Sequence, residues 1–218
     1  MMPSLIVWRL SPLAALATLC VLYLLARLSL ADVRRFSDAS ALPVCVREPV
    51  RSAGLWLFCL AGLWVFASQA PLLTRLLSLL LLTLLLRLAV IDALTCQLPR
   101  RDTLSVLATG LCAGLLQQTP SVIDTALAAL LCTGLHLVLN RHRENLGRGD
   151  LFLITGLAAW AGLLPALQIT FAAVVAFILW HRSWRIRGRI EGPLGPWLSL
   201  AATAQQLHAL YHPIWVTP

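Results

Sequence analysis

Asp92 and Asp150 are the residues through which this sequence could do chemistry. Each stands alone at the edge of a long apolar run: Leu88-Ala89-Val90-Ile91-Asp92 closes one, and Leu146-Gly147-Arg148-Gly149-Asp150 opens another. A carboxylate is costly at membrane depth, so its presence there points to function. Two such groups at one level of a membrane can activate water. One, ionised, takes a proton from the water while the other, protonated, donates to the carbonyl under attack. Gly147 and Gly149 lack a Cβ, which lets the backbone bend around Arg148 and lets a second segment come close.

Ordinary structural roles compete with this chemistry. An acid where Asp150 stands also caps a helix N-terminus, a role worth about 1 kcal/mol. Asp92 has no such excuse, because a carboxylate in a last helical turn faces the negative end of the dipole. Arg87, five residues earlier, lies about 140° round the helix and is a poor partner for it. Asp102 and Asp124 read as helix-start residues, the latter in the capping box Ser121-Val122-Ile123-Asp124. No HExxH pair, GxSxG elbow or phosphate-binding GxxxxGK[ST] loop occurs, and no metal is expected. His136 and His208 fall within apolar runs and are expected to bond between helices. His142, His181 and His212, and Trp8, Trp56, Trp160 and Trp197, read as interfacial or packing residues. The six cysteines form no CxxC pair. Cys20, Cys59, Cys112 and Cys132 lie in apolar runs and read as small core residues, Cys45 and Cys96 in the connections.

The elements that must position the two acids are membrane helices. Of the 218 residues 59% are hydrophobic, too many for a soluble domain, and apolar runs long enough to cross a bilayer recur along the chain. The fold class is all-α, a polytopic transmembrane bundle. About eight spans are expected, at 11–31, 53–69, 71–94, 103–118, 121–140, 150–164, 165–182 and 194–211. The first reads as an uncleaved helix, since its apolar run is too long for a signal peptide and Arg34 and Arg35 follow it. All seventeen basic residues are arginine, and thirteen sit in or beside alternate connections near 32–52, 95–102, 141–149 and 183–193. The connections near 70, 119 and 165 carry no charge. Such alternation puts the basic loops in the cytoplasm and both termini outside, and it explains the +8 net charge without a nucleic-acid partner. Because the helices ending at Asp92 and starting at Asp150 run in opposite directions, both acids fall near the cytoplasmic face.

Three stretches together resemble the type IV prepilin peptidase family, membrane aspartic proteases with a GxGD motif. Asp92-Ala93-Leu94-Thr95-Cys96-Gln97-Leu98-Pro99 is similar to its first-aspartate motif. Gly147-Arg148-Gly149-Asp150, with Trp160 and Gly162 beyond, is similar to the second, and Gly195-Pro196-Trp197-Leu198 to the Gly-Pro opening of the last helix. The resemblance implies an endopeptidase of the bacterial inner membrane, multi-pass, serving type IV pilus or type II secretion assembly. It implies that Asp92 and Asp150 are the catalytic pair, with Gly147 and Gly149 shaping the active-site loop. The substrate would be a prepilin or pseudopilin, cut after a glycine between a short basic leader and an apolar helix, with membrane lipid as the other partner. The whole chain, 1–218, then reads as one membrane peptidase domain with its catalytic core over 71–211. Many relatives carry a cytoplasmic insert with two CxxC pairs where this chain has only a short loop at 32–52, with Cys45 alone. No cofactor is expected for cleavage. S-adenosylmethionine enters only if the N-methylation common in the family is retained. Phe152 stands where relatives usually have Lys, and Arg100 where they often have Asp.

Two rival readings share these features. A proton-coupled transporter also needs intramembrane acids, but near the midplane and with broken helices in matching halves. A non-catalytic assembly subunit would keep the fold without cleavage. A presenilin-type protease ranks lower, because no Pro-Ala-Leu motif stands near the C-terminus, where it is expected; Pro165-Ala166-Leu167 lies well before it.

Overall fold

A computed structural model describes residues 12–31, 33, 44–117, 122–139, 141, 147–185 and 192–216. Their apolar, leucine- and alanine-rich runs form eight helices, with no strand among the described residues. In chain order these are α1 (Pro12–Ser29), α2 (Val44–Ala67), α3 (Leu72–Thr95), α4 (Arg100–Gln117), α5 (Val122–Leu139), α6 (Arg148–Ala161), α7 (Leu163–Arg185) and α8 (Gly195–Val216). Three stretches are long and apolar enough to cross a bilayer by themselves: Pro49–Ala67 in α2, all of α3, and Leu163–Trp180 in α7. Leu13–Ser29 and Val122–Val138 are shorter apolar stretches. The molecule is a helical membrane bundle.

Helix ends depart from the hydropathy reading where polar turns extend an apolar span. The loop expected over 32–52 is helical from Val44 onward, and α2 carries Pro49 within its second turn. Hydropathy detects only the apolar part of that helix, whose charged first turns do not register. Pro99 lets α4 begin three residues early: its carbonyl accepts from the N–H groups of Asp102 and Thr103. The break between α6 and α7 falls at Gly162 and not near 165. Gly162 adopts φ 92°, a conformation that favours glycine, and its N–H donates to Ala158 O at 2.8 Å. Pro165 is accommodated in the first turn of α7, where its missing N–H has no helical partner anyway. The expected cap at Ser121, the side chains of Cys45, Arg47, Arg182 and Arg185, and the arginines at 34, 35, 143, 187 and 189 lie outside what the structure describes.

α3 is the axis of the bundle. One face of it, with Leu82, Leu86 and Val90, packs with Leu22 of α1 and Phe58 and Val65 of α2. The other, with Leu81, Leu85 and Leu88, packs with Val106 of α4, Leu153 and Leu157 of α6, and Leu198 of α8. Gln206 Nε2 of α8 also donates to Ser78 Oγ of α3 at 2.9 Å. α6 is enclosed as fully, with every residue from Leu153 to Ala159 buried. The two helices that carry the isolated acids are thus the two sequestered ones. Leu130 and Val138 of α5, and Phe171 and Leu179 of α7, are exposed leucine-type side chains of the kind lipid solvates. Cys59 and Cys132 are buried as expected, whereas Cys20 and Cys112 lie on the exterior, so those two are not core residues. An apolar run does not say which side of its helix meets lipid.

α4 and α6 approach closely through glycine. A Cβ on Gly156 would lie 3.0 Å from Val106 Cγ1 and 3.1 Å from Leu107 N; one on Gly110 would lie 2.7 Å from Trp160 Cδ1. Trp160 closes the same contact by donating Nε1–H to Val106 O at 2.9 Å. Gly156→Leu is expected to force these helices apart and destabilise the bundle by on the order of 1–3 kcal/mol. Trp160→Phe, which removes the indole donor that joins the two helices, should cost about 1 kcal/mol. Thermal unfolding of the purified variants in detergent, compared with wild type, measures both losses.

Candidate active site

The site forms where the ends of α3, α6 and α8 meet. α3 stops because Cys96 turns into the left-handed region (φ 53°), and its N–H closes on Asp92 O at 2.7 Å. Thr95 adds a bond from Oγ1 to Ile91 O at 2.8 Å. Asp92 therefore sits in the last turn of a buried helix, with only 4% of its surface exposed. The cost of that position is met from far along the chain. Gly195, the first residue of α8, donates its N–H to Asp92 Oδ2 at 2.7 Å across a separation of 103 residues. The first N–H groups of a helix have no partner within it, so a helix start supplies such a donor readily. The bond requires glycine: a Cβ on residue 195 would lie 2.8 Å from Asp92 Oδ2 and 3.0 Å from Asp92 Cβ. Oδ2 is committed as an acceptor, which leaves Oδ1 as the oxygen free to hold or take a proton.

Asp150 arrives through two further glycines. Gly147 is the N-cap of α6, in extended geometry and without a side-chain cap bond. Asp150 is thus a first-turn residue and not the cap that a helix-start reading would make it. Its carboxyl folds back over the helix start, with Oδ2 at 3.1 Å from where a Gly147 Cβ would stand. Gly149 meets the turn after α3: its Cβ would lie 2.6 Å from Leu98 Cβ and 3.1 Å from Leu98 O. The Leu98-Pro99 turn therefore rests directly on the start of α6. Asp92 and Asp150 thus stand at the same end of the bundle, where this turn meets the start of α6.

The two other acids with described side chains lie elsewhere. Asp102, in the first turn of α4, accepts from Arg87 Nε at 3.2 Å and ties α4 to α3. This pair also disposes of Arg87 as a partner for Asp92. Asp124 lies in the first turn of α5, a helix that starts where α4 ends, at the far end of the bundle. Phe152 is 39% exposed and turns away from the carboxyl it follows by two residues. Sequence reasoning singled out Gly147 and Gly149 but missed Gly195 and Leu98 as parts of the site. Both lay in the quoted Gly-Pro and Leu-Pro stretches, yet nothing local to either indicates a contact with Asp92 or Gly149.

Residues 79–181 match the type IV leader peptidase family, a stretch that includes both Asp92 and Asp150 and ends before Gly195. Two curated relatives, each called "Prepilin leader peptidase/N-methyltransferase", come from Burkholderia pseudomallei strains 1026b and K96243. Each is 35% identical over 130 residues, covering 55% of this chain and 42% of the relative. The chain thus spans less than half the length of the curated relatives it matches. No solved structure matches it significantly.

Two glycine-to-alanine changes should act with opposite sign. Gly134, in α5, has nothing within 4 Å of an added Cβ, so Gly134→Ala is expected to stabilise the fold by about 0.5–1 kcal/mol. Gly195→Ala drives a methyl into Asp92 and should destabilise it by on the order of 1–3 kcal/mol. Melting temperatures in one detergent give the two signs directly.

Proposed function

With residues 79–181 of the type IV leader peptidase family, we propose that this chain is a prepilin leader peptidase in which Asp92 and Asp150 are the catalytic pair. What supports the reading is that the two acids stand at one end of two enclosed helices, where the turn after α3 rests on the start of α6. A water held between the carboxyls loses a proton to the ionised one while its oxygen attacks the scissile carbonyl. The protonated partner donates to the carbonyl oxygen as the tetrahedral intermediate forms. The C–N bond then breaks as the leaving amine takes a proton from the carboxyl that first accepted one, while the other carboxylate takes back a proton from a hydroxyl of the intermediate as the C=O bond re-forms. The pair titrates as one unit that shares a proton. Gly147 and Gly149 shape the loop that presents Asp150, and the Gly195 amide holds Asp92 in place.

In this reading the substrate is a prepilin or pseudopilin whose basic leader lies on the cytoplasmic side of the inner membrane and whose apolar helix lies in the bilayer. The chain crosses that membrane several times, with both termini outside. This orientation rests on the alternation of arginine-rich and uncharged connections along the sequence. The reaction needs water and the two carboxyl groups, and no cofactor. The relatives' name also includes N-methyltransferase, an activity that would take S-adenosylmethionine in a separate step.

Leader cleavage in membranes tests the reading. Asp92→Asn and Asp150→Asn should each reduce cleavage of a co-expressed prepilin by about 10²–10⁴-fold, the usual worth of a positioned acid or base, while both proteins still accumulate. Normal processing by either variant would exclude the pair. With purified wild type, kcat/KM should be bell-shaped in pH, falling where the shared proton is lost and where a second one is gained. Omitting S-adenosylmethionine should leave the cleavage rate unchanged on a gel-shift assay; a dependence on it would couple the two chemistries.

A further inference from the structure

A cleft of about 490 Å³ runs along the bundle from the candidate site. α3 is its floor, and α2 and α8 are its walls. Val50, Ala93 and Pro196 line one end; Trp64, Leu82 and Leu207 line the other. The near end lies beside the site: Ala93 follows Asp92 and Pro196 follows Gly195 in the chain. At the far end Trp64 is held by Tyr211, which stacks edge-on against it at 5.9 Å and donates its hydroxyl to Trp64 O at 2.7 Å. Along α3 and along α8 the cleft extends over eleven residues, about 16 Å or three helical turns.

We infer that this cleft seats the apolar helix of the substrate and so sets where the chain is cut. The inference rests on the leader-peptidase reading above. The lining suits a helix better than a lipid chain. Association inside a bilayer gains nothing from leaving an apolar solvent, so it depends on close packing over small residues and on hydroxyl contacts. Gly54, Ala61, Ala89 and Ala204 provide the small surface. Gly54 itself approaches α3 so closely that a Cβ would lie 3.0 Å from Val90 Cγ2. Ser199 on the α8 wall is 5% exposed, and its Oγ has no hydrogen-bond partner among the described residues. An incoming helix can offer that hydroxyl a partner; an acyl chain cannot.

The geometry also explains why cleavage falls at a helix end. Carbonyls within a helix are already bonded and screened by side chains, whereas the peptide bonds just before its first turn are extended and open. A helix seated with its first turn at Ala93 and Pro196 presents those bonds to Asp92 and Asp150.

Photo-crosslinking in membranes decides the matter. A benzoylphenylalanine is placed at Leu57 or Leu200, exposed residues of the cleft walls, or at Leu130 or Leu179, still more exposed residues of α5 and α7. The probe is a prepilin precursor with a basic leader and an apolar helix. We expect an adduct of the summed mass from Leu57 and Leu200 and none from Leu130 or Leu179. Adding Ala204→Trp, which fills the cleft, should abolish the Leu57 adduct; if that variant fails to accumulate, the four single positions still decide. Precursor cleaved normally but crosslinked equally at all four positions, or only lipid captured at Leu57 and Leu200, would overturn the docking inference alone. Absence of cleavage by the wild type would instead remove the peptidase reading on which it rests.

Discussion

A single hydrogen bond organises this end of the molecule: the amide of Gly195 to a carboxyl oxygen of Asp92. A carboxyl group buried in the last turn of a helix is opposed by desolvation and by the helix's own dipole. It persists only where another element brings a donor. Here that element is a helix start, whose first amides have no internal partner, so two structural deficits cancel in one contact. The constraint spreads from there. Residue 195 must lack a side chain, α8 must begin against the end of α3, and α3 must lie at the centre of the bundle.

The second carboxyl is placed by the same device. Gly149 lets the Leu98-Pro99 turn touch the α6 backbone, and Gly147 leaves room for the Asp150 carboxyl to fold back. Three glycines, each where a Cβ would collide with another segment or with a carboxyl, therefore set the relative position of the two acids. The GxGD stretch reads in these terms as a docking surface followed by its cargo. A transporter would need its acids in mid-span, exposed in turn to either side. Both carboxyls here belong to helix ends on one side of the bundle.

Much of this was legible in the sequence because membrane helices are long apolar runs: the described residues form eight helices over the expected runs, three of them with stretches long and apolar enough to cross a bilayer. What hydropathy could not fix were the ends. The charged turns from Val44 to Pro49 look like loop by composition, and the Gly162 break is set by a backbone conformation and not by polarity. Asp92 and Asp150 stood out because acids are rare in such surroundings. Yet the partner of Asp92 lies 103 residues away, and no local pattern could name it. The outward placement of Cys20 and Cys112, and the pairing of Arg87 with Asp102, escaped for the same reason. In lipid both faces of a helix are apolar, so the sequence carries little record of which face meets a neighbour.

The account turns on two carboxyl groups sharing one water, with the amide of Gly195 fixing one of them. An experimental structure of the protein in a lipid nanodisc, at a resolution that shows ordered water, tests this most directly. We expect the Gly195 amide on Asp92, and the carboxyls within about 6 Å of each other, the span of two hydrogen bonds through a single water. Carboxyl groups standing well beyond that reach, each with its own solvent, would contradict the paired-acid mechanism.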